Sequence, residues 1–163
     1  MRYPLAGRDA LSALATGGGL FTGGIALTKA VAKRAIGPLA IPLALGGGLM
    51  WLGRNIGDAF VELQDDNLRI KLGVLFDETI SLNEVSRVRE TQWPILGGLG
   101  IRSNLKNWVA VVTQTGPVAE ISLWRPIRLP VIPHVYSVRA QKVLVSPERL
   151  DEFILDLRSR LQI

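Results

Sequence analysis

The chain has 163 residues, of which 48% are hydrophobic and 20% charged, and its formal net charge is +5. It contains no cysteine and a single histidine, His134, so disulfides, a Cys-His pair and an ordinary zinc site are excluded. A serine triad would have to use His134, which we place at a loop or strand end. We therefore expect a noncatalytic protein with no catalytic residue, cofactor or metal.

The charge is unevenly distributed along the chain. Residues 1–54 contain six basic residues and one acidic residue, whereas residues 55–163 contain thirteen of each. Because the second part has no net field that would attract a polyanion, we expect no nucleic-acid partner. The same change in composition predicts two parts, a hydrophobic helical hairpin over 1–54 and a folded domain over 55–163.

Two apolar runs without charge, 10–27 and 35–53, make up most of the first part. Their length is close to the ~20 residues that a helix needs to cross a bilayer. Gly19 and Gly23 have the spacing of small residues that lets two membrane helices approach, and Trp51 is typical of an interfacial anchor. The runs predict two transmembrane helices. The alternatives are a glycine-rich hairpin packed on the domain and a hairpin lying in the membrane interface.

The basic residues around these runs predict the orientation. The segment 28–34 between the runs reads as a charged turn with three basic residues, whereas the two outer ends carry five. Basic residues concentrate on the cytoplasmic side, so the counts favour both ends in the cytoplasm. We expect localisation at the inner (cytoplasmic) membrane, with the folded domain on its cytoplasmic side.

After residue 54 the apolar period changes from that of helices to that of strands. Alternation over 60–64 and 68–72, with a polar turn between them, predicts a β-hairpin, and residues 75–82 predict a third strand. Ser81 and Glu84 have the spacing of a capping box, which predicts a short turn or helix.

The second half of the domain adds more strands and a final helix. Residues 107–114 and 118–123 predict a second hairpin, and 135–146 predict one or two further strands. Ser146, followed by proline and glutamate, predicts the start of a helix over about 147–161. The apolar residues of this predicted helix lie along one face: Leu150, Phe153, Ile154, Leu157 and Leu161. The predicted fold class is α+β, an antiparallel β-barrel or sandwich capped by the C-terminal helix.

Three stretches carry a resemblance to a known family: "DDNLRIKLGVLFDETISLNEVSRVRE", "WPILGGLGIRSNLKNWVAVVTQTGPVAEISL" and "VLVSPERLDEFILDLRSRL". Together they resemble the bacterial pleckstrin-homology (PH)-like domain that follows a pair of membrane spans, a family of unknown function. The resemblance covers residues 58–162 and implies a PH-like barrel that binds rather than catalyses. In lipid-binding proteins of this fold, basic residues of the first hairpin hold phosphates.

The glycine-rich segment 97–100 does not have the sequence pattern of a phosphate-binding loop. It lacks the G-x-G-x-x-G spacing and leads into a predicted strand rather than into a helix. We interpret it as a connection whose glycines supply positive φ angles.

A set of basic and aromatic residues forms the candidate surface for a lipid or a partner. Its members are Arg69, Lys71, Trp93, Arg102, Lys106, Arg125 and Arg128. Arg69 and Lys71 share one strand face, for which a solvated face without a ligand is the favoured alternative. The proline-bearing segment 123–135 predicts an edge or a projecting loop, which can pair with a subunit, receive a peptide strand, lie on the bilayer or pack against the barrel.

These observations lead to one functional expectation with two alternatives. We expect a membrane-anchored PH-like module that binds or scaffolds a protein partner at the cytoplasmic membrane surface. The alternatives are a peripheral module that binds anionic lipid and a homo-oligomeric membrane assembly.

Overall fold

The computed structural model describes residues 1–33, 40–132 and 135–161. The chain divides into two compact units. The helical unit comprises Asp9–Gly57, and the β unit comprises Met1–Arg8 together with Asp58–Ile163. The first eight residues, which the sequence analysis grouped with the hairpin, thus belong to the β unit.

The helical unit consists of α1 (Arg8–Lys33) and α2 (Ala40–Gly57). Helix α1 continues through most of the segment that was predicted as a turn, and residues 34–39, with the start of the predicted second run, lie outside the described residues. The helices meet at glycines. A Cβ atom on Gly19 would lie 2.6 Å from the Gly46 carbonyl oxygen, and one on Gly53 would lie 2.5 Å from Thr16 Oγ1. Close backbone approach therefore requires small residues here, as the sequence predicted for Gly19.

No helix in the described part of the chain is both long and apolar enough to cross a membrane. The prediction of two transmembrane spans is therefore not supported. The physical reason lies in the composition of the runs, because the glycines and threonines of α1, such as Gly17, Gly18 and Thr22, contribute little apolar surface. Several large apolar side chains are nevertheless exposed on the two helices: Leu14, Leu20, Phe21, Ile41, Leu45 and Trp51.

The first sheet of the β unit is antiparallel, with its strands in chain order. It contains β1 (Arg2–Pro4), β2 (Phe60–Leu63), β3 (Asn67–Leu72) and β4 (Phe76–Ser81). The predicted first hairpin and third strand are confirmed. The alternating residues of β2 and β3 are buried: Val61, Leu63, Leu68, Ile70 and Leu72.

The second sheet has five strands in the order β5-β8-β9-β7-β6. In chain order these are β5 (Val85–Trp93), β6 (Gly100–Ser103), β7 (Trp108–Val112), β8 (Gly116–Ile132) and β9 (Tyr136–Val145). All neighbours are antiparallel except β7 and β9, which are parallel.

The predicted hairpin between 107–114 and 118–123 is wrong, although both strands exist. Strand β9 lies between β7 and β8, so the two do not pair. Beyond β7, the Thr113 amide donates to Ser146 Oγ at 2.9 Å, and the Thr113 hydroxyl donates to the Ala6 carbonyl at 2.6 Å. These buried bonds hold the end of β7 against the segment that follows β9.

The β unit is α+β, as predicted, but its sheets do not close into a barrel. No described strand of one sheet pairs with a strand of the other. Beside the sheets, Leu5 forms an isolated bridge with Pro147, and the Ala6 amide donates to the Ser146 carbonyl. The final helix α3 (Leu150–Leu161) begins later than predicted, because Ser146 and Pro147 make these other contacts. Ser81 likewise makes no side-chain cap, and after a short 3-10 turn the chain enters β5.

Helix α3 covers the apolar core with the stripe that the sequence predicted. Phe153, Ile154 and Leu157 are buried. The Tyr3 ring meets Phe153 edge-on with centroids 5.4 Å apart, and the Tyr3 hydroxyl donates to Asp156. The first strand and the last helix are therefore parts of one core.

Replacing Phe153 by alanine should lower the free energy of unfolding of the β unit by about 3–5 kcal/mol, because a fully buried aromatic ring leaves a cavity. Urea denaturation followed by near-UV circular dichroism measures this. Leu155→Ala is the matched control on the exposed face of α3, with an expected change within about 0.5 kcal/mol. Equal losses in the two variants would contradict the packing described for α3.

Burial, with a hydrogen bond to Asp156, raises the pKa of Tyr3 to about 12. The folded-state pKa lies above the value of about 10 in an unfolded chain. The protonated phenol therefore stabilises the fold fully below about pH 10, and this contribution is lost as the pH rises through 12. In a Tyr136→Phe variant, which keeps Tyr3 as its one tyrosine, tyrosinate absorbance should rise only near pH 12. A rise in tyrosinate absorbance centred at about pH 10, with the fold intact, would contradict the raised pKa of Tyr3.

Candidate functional site

Arg69 and Lys71 lie on one face of β3, as predicted, but their charge is already engaged. Arg69 Nε and Nη2 each donate to a different carboxylate oxygen of Asp77 at 2.7 Å, and Lys71 Nζ lies 4.0 Å from the same group. The hydrogen bonds from Arg69 lower the pKa of Asp77, and Asp77 raises that of Arg69. This arrangement favours the solvated strand face over a phosphate site.

Trp93 lies in the core and not on the surface where the sequence analysis placed it. Its side chain belongs to a buried cluster of the second sheet and meets Trp108 edge-on, with centroids 5.7 Å apart. The indole Nε1–H donates to the Gly98 carbonyl at 2.9 Å, and a Cβ atom on Gly97 would lie 2.7 Å from the ring. The buried Trp93 ring therefore holds the glycine-rich segment against the core.

The segment that Trp93 anchors, residues 94–99, is called the apolar loop here. Its 3-10 turn presents Ile95 and Leu96, which are 83% and 99% exposed. Sequence reasoning concentrated on the glycines and missed both residues. The available signal was a pair of large aliphatic residues between a proline and two glycines, which predict a turn, and turns usually lie at the surface. The loop leads into β6, and Gly98 and Gly100 have positive φ angles, which confirms the interpretation as a connection.

Arg102 and Lys106, which flank the glycine-rich segment in sequence, are both exposed but do not share a site. The Arg102 guanidinium lies against Gly98, where an added Cβ atom would come within 2.8 Å of Nε. Lys106 lies in the turn after β6, at the other end of that strand. Asn104 Oδ1 accepts backbone N–H groups there, including that of Lys106 at 3.0 Å.

The proline-bearing segment is a strand and not a loop, and among the described strands it pairs with β9 alone, in agreement with the predicted edge. Strand β8 continues through it and pairs with β9, with Arg128 opposite Arg139 and Ile132 opposite Tyr136. The register shifts between Ser122 and Ile127 and again beside Pro130, which accommodates the missing proline amides. These distal parts of β8 and β9, residues 124–132 and 135–139, are called the arm. His134 lies outside the described residues.

The arm combines arginines with exposed aromatic and aliphatic side chains. Arg125, Arg128 and Arg139 are exposed, and no aspartate or glutamate occurs from residue 121 to 147. The large exposed apolar residues are Trp124, Ile132, Val135 and Tyr136. The arm therefore brings together two of the predicted residues, Arg125 and Arg128, with an arginine and aromatics that the sequence analysis did not select.

One of these arginines faces acids of the first sheet. Arg128 lines a cleft of about 360 Å³ together with Asp77 and Glu78, and burial there raises the pKa of Glu78. Arg125 and Arg139 do not line this cleft. Their positive charges are therefore not directed at Asp77 and Glu78.

Comparison with known proteins assigns the chain to no family. The chain matches no protein-family model, no curated protein and no solved structure. Within the described residues, no group of three or more histidine, cysteine, aspartate or glutamate side chains could hold a metal ion. The candidate site is therefore defined by its own residues, the arm and the apolar loop.

Trp93→Phe should loosen the apolar loop without unfolding the sheet, because it keeps an aromatic ring and removes the donor to Gly98. The Gly97 amide, which donates to Pro94 at 2.9 Å, should then exchange its hydrogen faster. Hydrogen exchange with mass spectrometry measures this, and Trp108→Phe is the control within the same ring pair. Unchanged exchange at the loop in Trp93→Phe would mean that the indole bond does not hold it.

Proposed function

We propose that this chain is a noncatalytic, membrane-associated module whose β unit binds an acidic protein partner through the arm. The observation that carries the proposal is the acid-free arm, which exposes three arginines beside Trp124 and Tyr136. Tryptophan, tyrosine and arginine are the residues that contribute most of the binding energy in protein interfaces.

The arm is also held in place before it binds. Backbone pairing of β8 and β9 continues to Ile132 and Tyr136, so little ordering is needed when a partner docks. Without acids between residues 121 and 147, the arginines attract carboxylates of a partner and raise the rate of encounter. Arg125 and Arg139 are the expected contacts, since Arg128 faces Asp77 and Glu78.

The helical unit supports association with a membrane. Large apolar side chains are exposed on both helices, and residues 10–28 of α1 carry no charge. Exposed apolar surface of this kind favours an apolar partner phase. We propose that the two helices lie in the membrane interface, the alternative to spanning that the sequence left open. The basic residues at the outer ends favour the cytoplasmic face of the inner membrane.

We further propose a PH-like origin for the β unit. Two sheets of mainly antiparallel strands followed by one C-terminal amphipathic helix support this relation. The open arrangement of the sheets and the parallel pairing of β7 with β9 are departures from a closed barrel.

A photo-cross-linking amino acid in place of Trp124, in the full chain expressed in cells, tests the partner. We expect a cross-linked protein adduct that is lost when Arg125→Glu and Arg139→Glu are added, because reversed charges repel an acidic partner. Lys106→Glu is the control charge reversal outside the arm, and a cross-linker at the exposed Leu155 is the control position.

The other outcomes identify the alternatives. Adducts with lipid would instead support an anionic-lipid module, and an adduct of twice the chain mass would support a homo-oligomer. No adduct at residue 124 beyond that at residue 155 would overturn the role of the arm.

A further inference from the structure

The apolar loop is built to present Ile95 and Leu96 outward. The indole of Trp93 fills the space beneath Gly97 and binds the Gly98 carbonyl, while the Gly97 amide donates to Pro94. These bonds satisfy polar backbone groups inside the loop, which lowers the cost of moving it into an apolar phase. Two fully exposed aliphatic side chains on such a turn are unfavourable in water and have no partner within the described β unit.

The loop lies at the end of the second sheet where the chain leaves the β unit. Trp93 pairs with Gly116, and Gly100 pairs with Val112, so the loop and the turn after β7 share that end. An added Cβ atom on Gly7 would lie 2.8 Å from the Thr113 carbonyl oxygen in the same turn. The segment that leads into α1 therefore departs beside the turn that neighbours the loop.

The arm lies at the opposite end of the same sheet. Val85, at the start of β5, pairs with Leu123, and the arm continues beyond this pair. If the apolar loop contacts a membrane, the arm therefore lies at the end of the sheet that is farther from that membrane.

We propose that the apolar loop inserts Ile95 and Leu96 into a lipid bilayer and so orients the β unit with its arm pointing away from the membrane. This inference rests on the proposed membrane association and adds the residues that make the second contact. Beside the loop, Arg102 is placed to bind a headgroup phosphate, since its guanidinium lies against Gly98.

Acidic residues near the apolar loop limit how deeply the loop inserts into the bilayer. A cleft at the edge of β5 is lined by four carboxylates and one cation, since Arg149 lies 2.8 Å from Glu152 there; the other acids are Glu90, Glu148 and Asp151. Pro117, which pairs next to Trp93, also lines this cleft. These carboxylates oppose close contact with anionic headgroups. Insertion is therefore driven by the two aliphatic side chains, and it takes place on zwitterionic lipid.

The absence of cysteine allows a direct test in the full chain. Leu96→Cys is labelled with an environment-sensitive fluorophore and mixed with phosphatidylcholine vesicles that contain nitroxide-labelled lipid. Val135→Cys, at the tip of the arm and 78% exposed, and Leu155→Cys on α3 are the matched label positions. We expect a blue shift and loss of emission at position 96, with neither change at 135 or 155.

The same samples separate failure of this inference from failure of the proposed function. Vesicle flotation reports membrane association of the chain independently of the label. A chain that floats while the label at position 96 stays open to aqueous iodide would overturn loop insertion and leave membrane association standing. A chain that does not float would overturn both. Quenching at 135 instead of 96 would reverse the orientation and overturn the inference, and a blue shift at 96 without vesicles would assign the loop to a protein contact.

A second pair of variants checks the contribution of the side chains. Ile95→Ser with Leu96→Ser should reduce the fraction of chain that floats with phosphatidylcholine vesicles, because both residues are exposed and their loss leaves the core intact. Val135→Ser is the control. Unchanged flotation of the double variant would contradict a contribution of the loop to binding.

Discussion

The buried junction of Ala6, Thr113 and Ser146 is the constraint on which the arrangement of the β unit depends. The Thr113 hydroxyl donates to Ala6, its amide donates to Ser146 Oγ, and the Ala6 amide donates to the Ser146 carbonyl at 2.7 Å. Because buried polar groups are costly without partners, these bonds specify one path for three distant segments. They keep β7 from turning back beside β8, they delay the start of α3, and they fix the place where the chain departs for the helical unit.

Pairing of charges within the β unit decides which basic residues remain for a partner. Asp77 engages Arg69, and the largely buried Glu120 lies 2.9 Å from Arg89 and 3.4 Å from Lys142. The exposed pair of Arg69 with Asp77 adds little stability. Both carboxylates nevertheless reduce the local positive field of the cations beside them. A net charge of zero over residues 55–163 therefore hides an uneven distribution, because the arm contains three arginines and no acid, and only Arg128 of these lines the cleft with Asp77 and Glu78.

Local patterns predicted much of the fold, and contacts between distant residues account for the errors. The first hairpin and the stripe of α3 follow from periods of two and 3.6, which depend on nearby residues alone. The position of β9 between β7 and β8 depends on Thr113 and Ser146, residues far apart in the sequence. Ser146 and Ser81 had the spacing of caps, yet neither serine caps a helix. For the site, arginines were found from charge, whereas the burial of Trp93 and the exposure of Leu96 required the sheet.

The two ends of the second sheet differ in a way that separates two kinds of binding. At one end, the apolar loop exposes aliphatic side chains, which make no hydrogen bonds and would not distinguish one apolar partner from another. At the other end, the arm displays guanidinium groups in a fixed β-hairpin, where direction and spacing matter. A module that attaches by the first end and selects by the second needs no catalytic group. Under the proposed function, specificity depends on how rigidly β8 and β9 hold the arm, where Arg128 pairs with Arg139 and Ile132 with Tyr136.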